Sequence, residues 1–212
     1  MDKASGFHSR IVKSGITFGH PGVQGESAYF DGQGLLHFLE AYPVPSLLDL
    51  QTSSDFTWTM SLKTDGPLDG QRIIVSNKYW WNRNGGGYAI ATDGAGKGLR
   101  VFLSAYDHEI FSSKSVSFSS TQGVIDDGQW HSVAVVASFS TGELIIYLDG
   151  SEAGRTNIGT LKGEINRFES AIGDGSYGGD GNSKAFQGYL DELKLHKAAL
   201  NPAQISSLTK RP

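Results

Sequence analysis

Cysteine is absent from the 212 residues of the chain. Its absence excludes a disulfide framework and any metal site built on thiolates. A chain of this length can bury a core that needs no covalent cross-links, as one large domain or at most two small ones. The lack of cysteine therefore narrows the chemistry of the protein but does not indicate its compartment.

Long apolar runs and clusters of positive charge are missing as well. No stretch approaches the roughly 20 apolar residues that a membrane-spanning helix needs, so we expect no membrane insertion. The 18 Lys and Arg residues are scattered among 22 Asp and Glu, and the formal net charge is −4. Without a basic stripe to follow a phosphate backbone, we expect no nucleic-acid partner. The first residues, Met1 to Ala4, also lack the pattern of a secretory signal, which is typical of an intracellular protein or of a mature or excised domain.

Alternating apolar and polar residues are the strongest local signal. In DFTWTMSL, residues 55–62, every second residue is apolar. In QWHSVAVVASF, residues 129–139, one face of a strand would carry His131, Val133, Val135, Ala137 and Phe139, and the other Trp130, Ser132, Ala134 and Val136. A period of two predicts half-buried strands, and we expect Trp58 and Trp130 to be framework residues of these strands. Further strands are predicted at Ala28–Phe30, Leu35–Phe38, Arg72–Ser76, Tyr88–Thr92, Leu99–Ser104, Ser115–Phe118, Ser170–Ile172 and Phe186–His196.

Turn signals separate these strands, and helix signals are almost missing. The segment ELIIYLDGSEAGRT, residues 143–156, predicts a hairpin that turns at Asp149-Gly150. Near the end of the chain, LNPAQISSLTK predicts one short helix, with Asn201 as its cap and Pro202 in its first position. No linker or repeat divides the sequence. We therefore expect residues 1–212 to form a single all-β sandwich with one short C-terminal helix.

Five motifs in order resemble the laminin G-like jelly-roll domains of the concanavalin A-like lectin and glucanase group. The resemblance implies a two-sheet antiparallel β-sandwich, an extracellular or cell-surface setting, and a binding module carried by a larger secreted protein. It covers about residues 15–208. The motifs are GVQGESAYFDGQGLLHF, DFTWTMSLKT, DGQWHSVAVV, GELIIYLDGSEAG and FQGYLDELKLHKAALNPAQISSL.

A structural Ca²⁺ ion is a further implication of the resemblance. The resemblance implies that an Asp in the last strand, here Asp191, binds the ion. An oxygen from the turn at Asp31-Gly32 would be a second ligand. In GYLDELKLH, Asp191 has the parity of Leu193 and Leu195, so its carboxylate is expected to face the core, where a cation or several donors must compensate it. The alternative is that Asp191 accepts backbone hydrogen bonds at the rim of the sandwich.

Catalytic motifs are not found. Glycan-cleaving enzymes of this fold carry carboxylates on one face of a strand, and Asp191-Glu192 are consecutive and face opposite ways. His131 shares a face with Val133 and Val135, which predicts a buried, hydrogen-bonded histidine. We therefore expect no enzyme, and a glycoside hydrolase or polysaccharide lyase ranks as the last alternative.

Two adjacent tryptophans in a glycine-rich insert carry the predicted binding site. Neighbouring residues of a strand point to opposite faces, so both indoles cannot enter the core. An aromatic platform for a sugar ring is expected here, with polar neighbours that bind hydroxyls or a carboxylate and with Tyr177 from another loop. The alternative is that one indole caps the sandwich while the other lies on its surface. The predicted site consists of Tyr79, Trp80, Trp81, Asn82, Arg83, Asn84 and Tyr177.

These observations predict a non-catalytic, lectin-like carbohydrate-binding module that Ca²⁺ stabilises. Its expected partner is a polysaccharide or another glycan. The alternative is a protein-interaction or adhesion domain, in which the same tryptophans would anchor a protein partner.

Overall fold

A computed structural model of the chain describes residues 9–38, 50, 54–67, 69–77, 85–94, 98–165, 170–173 and 184–209. Within these ranges it contains fifteen strands and one helix. No helix in the described part is long and apolar enough to cross a membrane. The elements are β1 (Ser9–Lys13), β2 (Ile16–Pro21), β3 (Glu26–Asp31), β4 (Leu35–Phe38), β5 (Phe56–Thr64), β6 (Arg72–Ser76), β7 (Gly87–Thr92), β8 (Leu99–Asp107), β9 (Ser112–Ser119), β10 (His131–Ser138), β11 (Glu143–Leu148), β12 (Ser151–Asn157), β13 (Ala171–Ile172), β14 (Lys184–Ala185), β15 (Gln187–His196) and α1 (Pro202–Thr209).

The strands form two sheets, which confirms the predicted jelly-roll sandwich. One sheet has seven strands in the order β12-β11-β10-β5-β15-β3-β2, and all its neighbours are antiparallel. The other has the order β1-β4-β13-β6-β7-β8-β9, and the two-residue strand β14 pairs with β6 in parallel. The sequence pattern does not predict β1 and β2. These strands extend the two sheets at their outer edges, where fewer buried positions impose an alternating pattern.

The core lies between the sheets and is built from the apolar positions of the alternating strands. The face of β5 that carries Phe56 and Trp58 packs with residues of the opposite sheet such as Ile90 and Leu103. Trp58 is 3% exposed, and its ring lies 5.6 Å from that of Tyr88 on β7. The prediction that Trp58 is a framework residue is therefore confirmed.

The predicted hairpin and helix both form. Asp149 and Gly150 have φ angles of 49° and 80°, as the turn between β11 and β12 requires. At the start of α1, the Asn201 side chain accepts a hydrogen bond from the backbone N–H of Gln204 at 2.9 Å, and the Gln204 side chain accepts one from the N–H of Asn201. This reciprocal cap satisfies two donors at the helix start.

Helix α1 covers part of the outward face of the seven-stranded sheet. Ile205 is 1% exposed and packs with Val136 of β10 and Tyr147 of β11. The hydroxyl of Thr57 on β5 donates to the carbonyl of Ala198 at 2.7 Å and accepts from the N–H of Leu200 at 3.0 Å, which ties the helix approach to the sheet. One end of this outward face is therefore closed by the helix.

Candidate functional site

The predicted aromatic platform, Tyr79 to Asn84 with Tyr177, lies outside the described residues. Its attachment to the fold is visible. Before the insert, the Asn77 side chain accepts a hydrogen bond from the N–H of Tyr88 at 2.7 Å, and the Asn77 N–H donates to the Tyr88 carbonyl at 3.1 Å. These bonds close the base of the segment between β6 and β7.

The segment that carries Tyr177 is attached elsewhere on β6. Ala171 of β13 pairs with Ser76, whereas Lys184 of β14 pairs with Arg72. The segment between β13 and β14 therefore rejoins the sheet at the Arg72 end of β6, and the segment that carries the tryptophans leaves from the Ser76 end. Four residues of strand separate these two points by about 13 Å.

A β-bulge corrects the predicted orientation of Asp191. Leu190 pairs with the core residue Leu62, and Asp191 pairs with Ser61, so Asp191 lies on the outward face. The register shifts between Asp191 and Lys194, and Glu192 adopts a φ of 52°. The extra residue of the bulge changes the parity of the strand, so Asp191 does not share the face of Leu193 and Leu195 as the sequence pattern predicts.

The carboxylate of Asp191 accepts three backbone hydrogen bonds. Oδ2 receives the N–H groups of Val23 and Gln24 at 2.8 and 3.0 Å, and Oδ1 receives that of Glu192 at 2.8 Å. A Cβ atom on Gly22 would lie 2.5 Å from Oδ2, so the glycine lets the β2–β3 turn approach the carboxylate. The carboxylate thus holds the turn against β15, as the alternative interpretation of Asp191 describes.

Asp31 and Gly32 lie far from Asp191 in the sheet. Asp31 pairs with Gln187, four residues before Asp191, which corresponds to about 13 Å along the strand. Asp31 Oδ1 accepts the N–H of Gln33 at 2.9 Å, and Gly32 has a φ of 91°. Ca²⁺ binds oxygens at about 2.3–2.6 Å, so these residues do not converge on one ion.

The described residues also contain no group of three or more His, Cys, Asp or Glu side chains that could hold a metal. A stabilising Ca²⁺ ion therefore stays a prediction.

His131 is held between two carboxylates at one end of β10. Its Nε2 lies 2.9 Å from Asp127 Oδ1 and its Nδ1 lies 2.8 Å from Asp149 Oδ2. Burial lowers the pKa of the imidazole, but the hydrogen bonds to the two carboxylates outweigh it and the pKa is raised. The side chain is 11% exposed, so the prediction of a buried, hydrogen-bonded histidine is confirmed.

An aromatic surface that the sequence pattern did not single out lies on the outward face of the seven-stranded sheet. We call it the aromatic strip and define it by His20, Tyr29, Trp130 and Tyr189, all of which are partly exposed. The rings of Tyr29 and Tyr189 are 4.9 Å apart, and that of Trp130 is 6.2 Å from Tyr189. The His20 ring lies 5.8 Å from Tyr29 and 5.5 Å from Tyr189.

Strand register explains why these rings meet. Tyr189 pairs with Tyr29 on one side and with Lys63 on the other. Because His131 pairs with Leu62, the preceding residue Trp130 lies opposite Lys63, in the same row of residues across the sheet. Trp130 directly precedes β10 and is not within the strand as expected, but it lies on the face opposite to the core residues Val133 and Val135, as the alternation of residues 129–139 predicts. The sequence did contain one signal for this surface. Tyr29 and Tyr189 directly precede the core residues Phe30 and Leu190, so in a strand they face away from the core.

Polar groups accompany the strip. The Lys63 ammonium lies 5.6 Å from the centre of the Tyr189 ring, and the Tyr29 hydroxyl donates to Asp65 Oδ2 at 2.8 Å. The hydrogen bond to Asp65, with burial and nearby negative charge, raises the pKa of Tyr29 to about 12. Rings and hydrogen-bonding groups therefore lie side by side on this face.

A groove of about 160 Å³ adjoins the strip on the same face. Its lining includes Ser61, two residues before Lys63, and Ser132, two residues after Trp130, together with Lys194 and Leu208. Lys194 forms an ion pair with Glu192. The strip and the groove together present ring faces, hydroxyls and charges, which is the combination that binding sites for polar ligands use.

The two-sheet sandwich and the surface on one of its faces define the class of protein as an all-β domain with an exposed aromatic face. A family model described as the concanavalin A-like lectin/glucanases superfamily matches residues 40–206. The match covers more than half of the chain, and the chain belongs to this superfamily. The resemblance inferred from the motifs is confirmed. A sequence comparison with curated proteins gives no match.

Solved structures share the fold at low sequence identity. The binding domain of botulinum neurotoxin serotype G has a TM-score of 0.70 at 15% identity, and the match covers 98% of this chain and 47% of that one. The chain therefore spans about half the length of that binding domain.

Two similar structures were solved with sugars bound. Domain 4 of AbnA, an extracellular arabinanase from Geobacillus stearothermophilus, in complex with arabinotriose, has a TM-score of 0.65 at 18% identity, with coverage of 95% and 88%. The CBM40 domain of the Ruminococcus gnavus IT-sialidase, bound to α2,3 sialyllactose, has a TM-score of 0.63 at 12% identity, with coverage of 87% and 96%. At these identities the likeness establishes the fold alone.

Proposed function

We propose that the protein is a non-catalytic carbohydrate-binding module of a secreted or cell-surface protein. The aromatic strip is the observation that carries this proposal. Sugar rings stack on tyrosine and tryptophan faces, and Lys63, Asp65 and the groove hydroxyls supply hydrogen bonds to their hydroxyl groups. Membership of the superfamily and the sugar complexes of two structural relatives support it.

The carboxylates of Glu192, which lines the groove, and of its neighbour Asp191 are engaged in structural contacts. Asp191 accepts three N–H groups, and Glu192 is paired with Lys194. A glycosidase needs one carboxyl group that is free to donate a proton and a second one across the scissile bond. The described contacts of these two residues serve the fold.

The glycine-rich insert with Trp80, Trp81 and Arg83 remains a second proposed contact for the glycan. A glycan array should be screened with the wild type, with Tyr189→Ala and with the double variant Trp80→Ala/Trp81→Ala, each with Ca²⁺ and with chelator. Loss of a stacked ring should weaken binding by about 1 kcal/mol or more, which is roughly a fivefold increase in Kd. The two variants show which surface holds the sugar.

Phe111→Ala is the matched control for this experiment, because it removes an aromatic ring that is 73% exposed and lies in the turn between β8 and β9 of the other sheet. Binding of no glycan by the folded wild type would contradict the proposal. If Tyr189→Ala and Trp80→Ala/Trp81→Ala both bind glycan as the wild type does, at unchanged melting temperature, neither surface is the glycan site.

A protein partner is the second candidate function, and the hairpin between β8 and β9 favours it. Ile110 and Phe111 are 58% and 73% exposed side by side, and Phe111 has a φ of 49°. Exposed apolar residues at a loop tip are typical anchors of protein interfaces. Retention of a protein ligand by the wild type and its loss in Phe111→Ala would support this candidate.

A further inference from the structure

We infer that the aromatic strip binds an interior stretch of a single, soluble, uncharged glycan chain, and neither a chain end nor a crystalline surface. The inference rests on the proposed function and specifies its ligand class. Three properties of the strip carry it: its course across the strands, the angles between its rings, and its charge.

The strip crosses the sheet and reaches its edge. The row that contains Trp130, Lys63, Tyr189 and Tyr29 spans three strand spacings, or about 14 Å. It continues to Thr17 on β2, which is exposed and belongs to the edge strand. A site for a chain end encloses its ligand, whereas a row that reaches the sheet edge lets a chain continue beyond it.

The rings do not share a plane. Trp130 and Tyr189 are inclined by 55°, and Tyr189 and Tyr29 by 49°. A crystalline polysaccharide presents a flat face, which makes close contact only with coplanar rings. A single chain in solution can turn each sugar ring relative to the next, so it can follow rings that are tilted stepwise.

The charges near the strip disfavour an acidic glycan. Asp65 accepts the Tyr29 hydroxyl, and both Asp65 and Asp31 contribute to the raised pKa of Tyr29. Lys63 is the cation over Tyr189. Two carboxylates against one ammonium would repel a ligand with a negative charge on every residue, while carboxylates readily accept hydrogen bonds from neutral hydroxyls.

Oligosaccharide ladders test this inference. Titration calorimetry should compare arabino-, xylo-, cello- and manno-oligosaccharides of one to six residues with a galacturonate ladder, and sedimentation assays should use microcrystalline cellulose and chitin. For at least one neutral series, we expect Kd to fall about tenfold or more up to about three residues and then to level off, because Trp130, Tyr189 and Tyr29 offer three neighbouring ring faces on which sugars can stack. Reduction of the terminal sugar should leave the Kd of the hexasaccharide unchanged.

Tyr189→Ala should flatten this dependence on length, while Phe111→Ala should keep it at an unchanged melting temperature. Equal affinity for monosaccharide and hexasaccharide, loss of binding on end reduction, preference for galacturonates or retention on the crystalline polymers would overturn the inference and leave the glycan-binding function standing. Glycan-array binding confined to acidic or terminal sugars would do the same. Absence of binding to every glycan would overturn both.

Discussion

The outward face of the seven-stranded sheet has two ends that share the strands β5, β10 and β15 but differ in what covers them. At one end Val136 and Tyr147 lie beneath Ile205 of α1 and are almost fully buried. At the other end Trp130 and Tyr189 are partly exposed. Both ends are rich in apolar surface, and within the described residues only the first has a covering element.

The chemistry of the side chains follows this difference. Aliphatic residues such as Val136 need an apolar cover, whereas tyrosine and tryptophan combine a large ring with a polar group that water can solvate. The aromatic end can therefore stay uncovered in the free protein and still offer ring faces to a ligand. Asp191 lies between the two ends and holds the β2–β3 turn beside the groove.

The covered end should contribute more to stability than to ligand affinity. Ile205→Ala removes most of a side chain that is 1% exposed, and we expect the free energy of unfolding to fall by about 2–4 kcal/mol. The glycan Kd should rise by less than the roughly fivefold expected for a strip residue, because Ile205 lines the groove but is not part of the strip. Denaturant unfolding measures the first effect, and Leu208→Ala, at a residue that is 50% exposed, is the control, expected within about 0.5 kcal/mol of the wild type. A matching loss of affinity in Ile205→Ala would show that the two ends are not independent.

Asp191, which lies between the two ends, should also contribute to stability. Asp191→Ala leaves the N–H groups of Val23, Gln24 and Glu192 without their acceptor, and we expect a loss of about 1.5–3 kcal/mol. This loss should persist in the presence of a chelator, because backbone hydrogen bonds need no ion.

Calcium is tested in the same melting experiment. A chelator that lowers the melting temperature of the wild type but not that of Asp191→Ala would place Ca²⁺ at this residue. No effect of the chelator on the wild type, and no stabilisation by added Ca²⁺, would contradict the predicted ion.

The stability of the domain should depend on pH through His131, which follows Trp130 at the start of β10. The raised pKa of this histidine means that the folded state holds its proton more tightly than the unfolded state does. The contribution of His131 to stability is then complete below its ordinary pKa of about 6.5 and is lost as the pH rises through the raised value. Melting temperatures of the wild type and His131→Gln between pH 5.5 and 9 should differ most at the acidic end and converge at the alkaline end. A constant difference over this range would show that the charge of His131 has no role.

An exposed aromatic residue outside the strip should have the smallest effect. Phe111→Ala is expected to change the free energy of unfolding by no more than about 0.5 kcal/mol and to leave the glycan Kd unchanged. Thermal melting and titration with the same glycan as for Tyr189→Ala check this. A loss of glycan affinity in Phe111→Ala would mean that exposure of a ring, and not its place in the strip, determines binding.

The period of two in residues 55–62 and 129–139 was sufficient to predict β5 and β10, because one face of each strand must be buried. Asp149-Gly150 and Asn201-Pro202 predicted the hairpin and the helix through local backbone chemistry. These features depend on residues close together in the sequence, which explains why a single sequence reveals them.

The tertiary structure decided what the local pattern could not. Because of the bulge at Glu192, Asp191 lies on the outward face and not on the core face that the alternating pattern predicts. Alternation alone carries no signal for an inserted residue. The aromatic strip joins residues 20, 29, 130 and 189, and only the order and register of five strands bring their rings together. Sequence parity determined that Tyr29 and Tyr189 face outward; strand pairing determined that they face the same ligand, because lateral neighbours in a sheet are set by long-range hydrogen bonds and not by distance along the chain.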